Sequence, residues 1–398
     1  MSLACRALSH RGQGSRSPGG LQLWALLLAA ALSLTAVPAA AADMDDVVYE
    51  EADSSREDAE VFWTEERIRQ AQPMPMPNVS PAETAAQLQA KGRTAPGALL
   101  APSLRPGETL IPFRPDDATS GATLAPKWGT APWVYSRYRL FPDNVATYTT
   151  YPYRTVGKLF FQIPGVGLFV CSASVVTAQN LSTVWTAGHC VYSPPPGTGG
   201  FVGFHTNFMF MPARRAGFNP LGVWTHRVAA TTIGWQFGLL EYDHGVLVMN
   251  RGGNSNNHVA TDTGSLGFLT GVKDFQHFHA IGYPQAPRDL ATTQPGLQFN
   301  GEFQEICTAT WAASDLPTGG PGDPPTLGIG CDQTGGTSGG PWIINFSGFQ
   351  NAQNNLLNGN SSYRYTGPNP PANLRLFGPH FGTAASVLWN FAQSFPVP

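Results

Sequence analysis

From residue 151 onward the apolar positions come in short β-rich runs broken by turn-forming residues, with no long stretch at the helical period. Residues 155–161 and 167–171 flank Pro164-Gly165-Val166, which predicts a hairpin. Further runs at 173–176, 183–187, 208–211, 224–233, 245–249, 278–281, 297–306, 327–329 and 342–345 predict strands. Turn-forming clusters at 193–197, 252–257 and 317–325 punctuate them, and 252–257 is the best boundary between two halves. Many short strands with regular turns argue for a sandwich or barrel and against βαβ units. Residues 350–373 are polar enough to predict a surface loop, and 383–392 predict a short terminal helix.

Upstream the pattern changes. Arg6, Arg11 and Arg16 precede an apolar run over 21–37 that ends in Pro38 and the alanines 39–42, the layout of a secretory signal peptide over 1–42. The run is slightly short for a membrane anchor, and no other run predicts a bilayer span. Residues 43–130 pass from an acid-rich stretch, Asp43 to Glu66, to Pro- and Ala-rich text. So little apolar surface predicts a pro-region or linker, with at most a short helix within 61–88, and order beginning near Tyr151.

Composition sharpens this picture. Gly 44 and Pro 35 against 12 % charged residues suit strands and turns better than long amphipathic helices. A net charge of −3 and no basic stripe point away from nucleic acid. Secretion removes Cys5 with the signal and leaves Cys171, Cys190, Cys307 and Cys331 in an oxidising compartment. Four cysteines allow three pairings. The nearest-neighbour scheme, Cys171 with Cys190 and Cys307 with Cys331, closes two modest loops and is preferred. The absence of Cys-x-x-Cys argues against zinc, and no metal or other cofactor is expected.

Two motifs carry chemistry. Thr186-Ala187-Gly188-His189-Cys190 offers a histidine beside a cysteine, and Gly335-Gly336-Thr337-Ser338-Gly339-Gly340-Pro341 a serine among glycines that let backbone N–H groups converge on one point. Gly336 to Gly340 also satisfies G-x-S-x-G, the nucleophile elbow of lipases. That reading fails on chain order, because beyond Ser338 there is one histidine, His380, and no Asp or Glu. No Gly-Lys-Ser/Thr phosphate loop is present either.

Both motifs resemble those of chymotrypsin-like serine peptidases. The preceding Cys171-Ser172-Ala173-Ser174-Val175-Val176 resembles the strand whose cysteine bridges to the one after the catalytic histidine. The resemblance implies a triad of His189, Asp243 and Ser338, with Asp243 in Tyr242-Asp243-His244-Gly245 leading an apolar strand; Asp262 and Asp274 are reserve acids. It implies an oxyanion hole from the N–H groups of Gly336 and Ser338. It also implies an all-β fold of two packed six-stranded antiparallel β-barrels with a short C-terminal helix, over 151–252 (His and Asp) and 258–398 (Ser and specificity pocket). Tyr151-Pro152-Tyr153-Arg154-Thr155-Val156-Gly157-Lys158-Leu159, Gly282-Tyr283-Pro284 and Asp332-Gln333-Thr334-Gly335 are similar to the glutamyl endopeptidase branch.

The resemblance has departures. Thr337 stands where digestive enzymes carry the aspartate that receives a new N-terminus. In the specificity pocket, expected from Asp332, Gln333 and His380, the carboxylate of Asp332 would favour a basic P1 residue, while a histidine would receive an acidic one; the branch favours acidic P1. His277-Phe278-His279 alternates on a strand without a third ligand nearby. Of the glycosylation sequons at Asn78, Asn180, Asn345 and Asn360, Asn360 has the most loop-like context and Asn345 the least. The expectation is therefore a secreted, monomeric serine endopeptidase acting on peptides or proteins. The other reading is a catalytically silent protease-like binding protein.

Overall fold

The computed structural model describes residues 43–53, 56–79, 133–271, 276–287, 298–315, 325–348, 353–365 and 374–398. The expected signal peptide, most of the Pro- and Ala-rich stretch, and Asp274 lie outside them.

The first half supplies strands β1 (Val156–Ile163), β2 (Gly167–Val175), β3 (Thr183–Thr186), β4 (Thr206–Pro212), β5 (Trp224–Thr232) and β6 (Gly245–Met249). They pair antiparallel in the order β5-β4-β1-β2-β3-β6, and β6 returns to β5, closing a six-stranded barrel. The expected hairpin joins β1 and β2 with Ile163 opposite Gly167. Gly165 supplies the positive φ of 71° that its turn requires. Leu159, Phe161, Val184, Phe208, Phe210, Trp224 and Leu247 fill the interior. Phe160, Val170, Met209 and Met211 alternate with these and are equally buried, in a separate cluster with Trp63 and Ala71. Both faces of these strands are covered, which is why residues 208–211 read as a continuous apolar run.

That cover is the N-terminal segment, where the sequence predicted a pro-region or linker with at most a short helix. Val47–Glu51 pairs antiparallel along β5, from Val47 opposite Thr232 to Glu51 opposite Val228. Two short helices follow, Arg56–Phe62 and Glu65–Gln70, the second capped by the Thr64 hydroxyl accepting from the Arg67 N–H. Order therefore begins well before Tyr151. Few apolar residues suffice because Trp63, Ala71, Met74 and Met76 are all buried.

The second half forms β7 (His277–Gly282), β8 (Glu305–Asp315), β9 (Thr326–Gly330), β10 (Pro341–Ile344), β11 (Leu356–Asn360) and β12 (Arg375–Pro379), in the order β11-β10-β7-β8-β9-β12. This sheet does not close. Among the described residues β11 and β12 share no ladder; past the end of β11 the chain meets β12 at the isolated bridge Tyr363 to Phe377 and through the Ser362 N–H, which donates to Phe377 O. After Asn360 the chain turns to bond the loop around Ser338 instead: the Gly339 N–H donates to Ser361 O, and the Ser361 N–H to Gly340 O. The observed architecture is thus one closed six-stranded barrel and one open sheet, not two closed barrels.

One strand prediction and one loop prediction also shift. The strand expected at 297–306 begins at Glu305 and runs to Asp315. Its later residues alternate between half-buried and exposed, so hydrophobicity alone did not mark them. The predicted loop 350–373 contains β11 and Arg364–Tyr365, with Asn355, Asn358, Asn360, Ser361 and Ser362 buried. Asn360 is accordingly no open glycosylation acceptor, whereas Asn345 lies just past the end of β10 and is exposed.

Val156, Trp185, Val246, Ile281, Tyr283, Ile306 and Ile343, drawn from both halves, share one core. The C-terminal helix, Thr383–Ser394, adds Ala385, Leu388 and Ala392 to it. Its Trp389 stacks on Phe268 at 5.4 Å, and its Phe391 meets Tyr49 at 4.9 Å. No helix among the described residues is long and apolar enough to cross a membrane.

A short strand, Ser136–Arg139, docks on β8 through charge as well as backbone: Glu305 accepts from Arg137 at 3.0 Å and from Arg139 at 2.9 Å. Removing one partner of a buried ion network leaves charge without compensation. Glu305→Ala should therefore lower unfolding stability by about 3–5 kcal/mol, measured by denaturant titration.

Candidate active site

His189 lies in a 3₁₀ turn, Gly188–Cys190, that follows β3, and Asp243 follows a second such turn, Leu240–Tyr242, that leads into β6. Strand register brings them together. Gly245 pairs with Thr186, so the two turns leave the barrel at the same end of neighbouring strands. A side chain at Gly188 would run into the Trp235 ring, with a Cβ only 2.7 Å from it, so this turn needs a glycine.

Asp243 is fully buried and holds the histidine through both oxygens. Oδ1 accepts the His189 backbone N–H at 2.7 Å, and Oδ2 lies 2.7 Å from Nδ1. Oδ2 also accepts from the Ser362 hydroxyl, and the Asp243 carbonyl accepts from Asn360 Nδ2 at 3.2 Å. Lone pairs so engaged fix the imidazole tautomer and leave Nε2 as the free ring nitrogen. Two further buried histidines flank the site. Burial pushes His244 and His205 down to about 3, so they stay neutral.

Ser338 lies in the loop between β9 and β10, held from the other half by Ser172 of β2. The Ser172 N–H donates to Ser338 O at 2.8 Å, and its hydroxyl donates to Gly336 O at 2.9 Å while accepting the Tyr283 N–H. The adjacent Cys171 is bonded to Cys190, next to His189, and Cys307 is bonded to Cys331, the nearest-neighbour pairing. The loop amides of Thr337, Gly339 and Gly340 are spent on carbonyls. Among the described residues those of Gly336 and Ser338 donate to none, and Gly336 has a φ of +99°. Neither His189 Nε2 nor the Ser338 hydroxyl has a hydrogen-bond partner among the described residues. His189 is 3 % exposed and Ser338 0 %, so the hydroxyl is covered where the sequence reading needs a cleft open to peptide.

The expected pocket residues are not brought together. Asp332 is buried and already paired with Arg137 at 3.3 Å. Gln333 faces the core, where its amide donates to Ala280 O and Glu305 O and its carbonyl oxygen accepts from Thr337. It braces the serine loop instead of lining a pocket. Thr337, in place of an aspartate, is thereby satisfied by a neutral partner. Register pairs Arg375 with Gly330, which puts Asp332 near the start of β12, while His380 follows the strand's other end, beside His244. At roughly 3.3 Å per residue, His380 lies about 16 Å along the chain from Arg375.

Among the described residues, the two groups of side chains spaced to hold a metal ion consist of Cys171, His189 and Cys190, and of Cys307, Cys331 and Asp332, whose sulfurs are tied up in the disulfides. His277 and His279 do lie side by side, but the His279 ring stacks on Phe346 at 4.4 Å.

Sequence reasoning missed Ser362, Asn360 and Ser172. The first two sat inside a stretch whose polarity read as surface. A signal was present in the Ser361-Ser362 pair flanked by Asn and Tyr, but polar residues in a buried strand have no distinguishing pattern.

No family model matches the sequence, and no curated protein matches it either. Solved structures do. A thermostable serine protease, AL20, from an extremophilic microorganism is 32 % identical, with 61 % of this chain and 97 % of that chain covered and a TM-score of 0.48. The protease Anisep from Arthrobacter nicotinovorans is also 32 % identical, covering 61 % and 96 %, with a TM-score of 0.48. A Glu endopeptidase is 15 % identical, covering 65 % and 97 %, with a TM-score of 0.46. On its identity over nearly the whole of the first two, the chain belongs to the chymotrypsin-like serine proteases.

Gly339 supplies a direct test of how tightly the serine loop is held. Its φ is +76°, and an added Cβ would overlap the Thr186 hydroxyl and come within 2.5 Å of Ser172 O. Gly165 has a similar φ of +71° with open space around it. Gly339→Ala should cost several kcal/mol of unfolding stability, whereas Gly165→Ala should cost about 1 kcal/mol, the price of the backbone conformation alone.

Proposed function

We propose that this chain is a secreted serine endopeptidase with His189, Asp243 and Ser338 as its triad. The observation that carries this reading is the doubly bonded, fully buried Asp243 beneath His189, at 2.7 Å, with the serine loop clamped to the adjoining strand. His189 Nε2 takes the proton from Ser338 as its oxygen attacks the peptide carbonyl. Asp243 stabilises the imidazolium, and the N–H groups of Gly336 and Ser338 receive the oxyanion. The protonated imidazole then gives its proton to the leaving amine, and water activated by the same histidine hydrolyses the acyl-enzyme. No nucleic acid enters this reading, and the enzyme acts as a monomer.

The same reading assigns 1–42 to a signal peptide, 43–130 to a pro-region, 151–252 to the first barrel and 258–398 to the second half. Two disulfides suit an oxidising compartment. For specificity we infer an acidic P1 residue. Asp332, the carboxylate that would receive a basic one, is buried and already paired with Arg137. The observation that favours the alternative of a silent binding protein is the full burial of Ser338, whose hydroxyl has no hydrogen-bond partner among the described residues.

Mature secreted protein should be labelled by an organophosphate reagent, and Ser338→Ala should abolish both labelling and peptide hydrolysis. Asp243→Asn should lower turnover by about 10⁴-fold. A peptide library should be cut after Asp or Glu; cuts concentrated after Arg or Lys would reject the pocket assignment. Folded, mature protein that takes no label would instead favour the binding-protein reading.

A further inference from the structure

Residues 71–79 cross beside the Ser338 loop, from a wall in the first half of the molecule to one in the second. At the first wall Gln72 and Pro73 pair parallel with Phe169 and Val170 of β2, and the Met74 N–H donates to Val170 O at 2.9 Å. Gln285 reinforces this end by donating to Ala71 O at 3.2 Å. In the middle, the segment passes over the serine loop. A Cβ on Gly335 would meet Met74 O at 3.1 Å and Pro73 at 3.7 Å. At the far wall the Arg364 N–H donates to Pro77 O at 3.2 Å, and Asn78 and Val79 pair parallel with Arg364 and Tyr365.

Over residues 74–76 side chains alternate as an extended strand requires: Met74 and Met76 are buried, 5 % and 6 % exposed, and Pro75 between them is exposed. Met74 joins the core of the first barrel with Cys171 and Cys190, and Met76 that of the second half with Cys331 and Leu376. The two methionines therefore seat on the two disulfide-bearing walls that flank the site.

We propose that residues 71–79 are a built-in ligand of the substrate groove, and that the groove binds extended, proline-alternating peptide with unbranched apolar side chains at alternate positions. This rests on the peptidase reading and adds the regulation of that same site. It accounts for the full burial of Ser338. The segment is tethered on its upstream side: Val47–Glu51 is a strand of the first barrel's sheet, and Trp63 donates to Asn207 O at 2.6 Å and packs on Phe160. Tethering gives it an effective concentration on the order of mM, against which a dilute substrate competes poorly. Its sequence also resists being cut. Each inward methionine is followed by a proline, Pro75 or Pro77, whose ring replaces the N–H on the leaving side of the bond.

The test uses the intact chain, verified whole by mass, as wild type, Met74→Asp/Met76→Asp and Trp63→Ala. Turnover of a fluorogenic peptide and the rate of organophosphate labelling are both read. The expected result is a gain of at least about tenfold in both for the double variant and a smaller gain for Trp63→Ala. A synthetic peptide of residues 67–80 added in trans should reverse it. Trp63→Ala leaves the groove residues in place, so it decides the matter if the double variant does not fold. Equal rates in all folded forms, with turnover still lost in Ser338→Ala, would overturn the built-in ligand and leave the peptidase standing. Absence of turnover and labelling in every form would overturn both.

Discussion

The site depends on one dipeptide. Cys171 and Ser172 are consecutive on β2, so their side chains point to opposite faces of the strand. Cys171 reaches inward to Cys190 and fixes the turn that carries His189; Ser172 reaches the other way and, with its N–H and hydroxyl, fixes the loop that carries Ser338. Histidine and serine come from different halves of the molecule, yet both are referenced to the same few ångströms of backbone. The Ser172 carbonyl completes this by accepting from Thr186, at the end of the strand that precedes His189.

Charge plays a different part on the two sides of the site. Around Asp243 the carboxylate is retained for its hydrogen bonds, with donors from His189 and Ser362 directed at it. Around Asp332 and Glu305 the carboxylates are retained for pairing, with Arg137 touching both. Three acids of one protein are thus committed in two ways, Asp243 to orient a neighbour and Asp332 and Glu305 to neutralise one.

The barrel strands and the two motifs were legible because each rests on local pattern: a hairpin turn at Pro164-Gly165-Val166, an apolar run after Asp243, glycines around Ser338. What escaped detection was polar and long-range. Asn360 is surface-like in composition, yet Trp185, at 3.2 Å, and Asp243 use up its amide. His380 looked like a pocket residue because it was the only histidine after Ser338, and only the register of β12 shows that it stands at the wrong end. The order within the N-terminal segment escaped detection for the opposite reason. Its few apolar residues are too sparse to build a core, but Trp63, Met74 and Met76 are enough to complete surfaces that others supply.

The burial of Phe160, Val170, Met209 and Met211 under the N-terminal segment sets a condition on any shortened form of the protein. A chain beginning after residue 79 would turn that seam outward as a contiguous oily face on an otherwise finished barrel. Such a face is prone to self-association and to adsorption on other apolar matter. Release of the groove and loss of colloidal stability are therefore coupled in this architecture, and the segment that silences the site is also the one that keeps its barrel wettable.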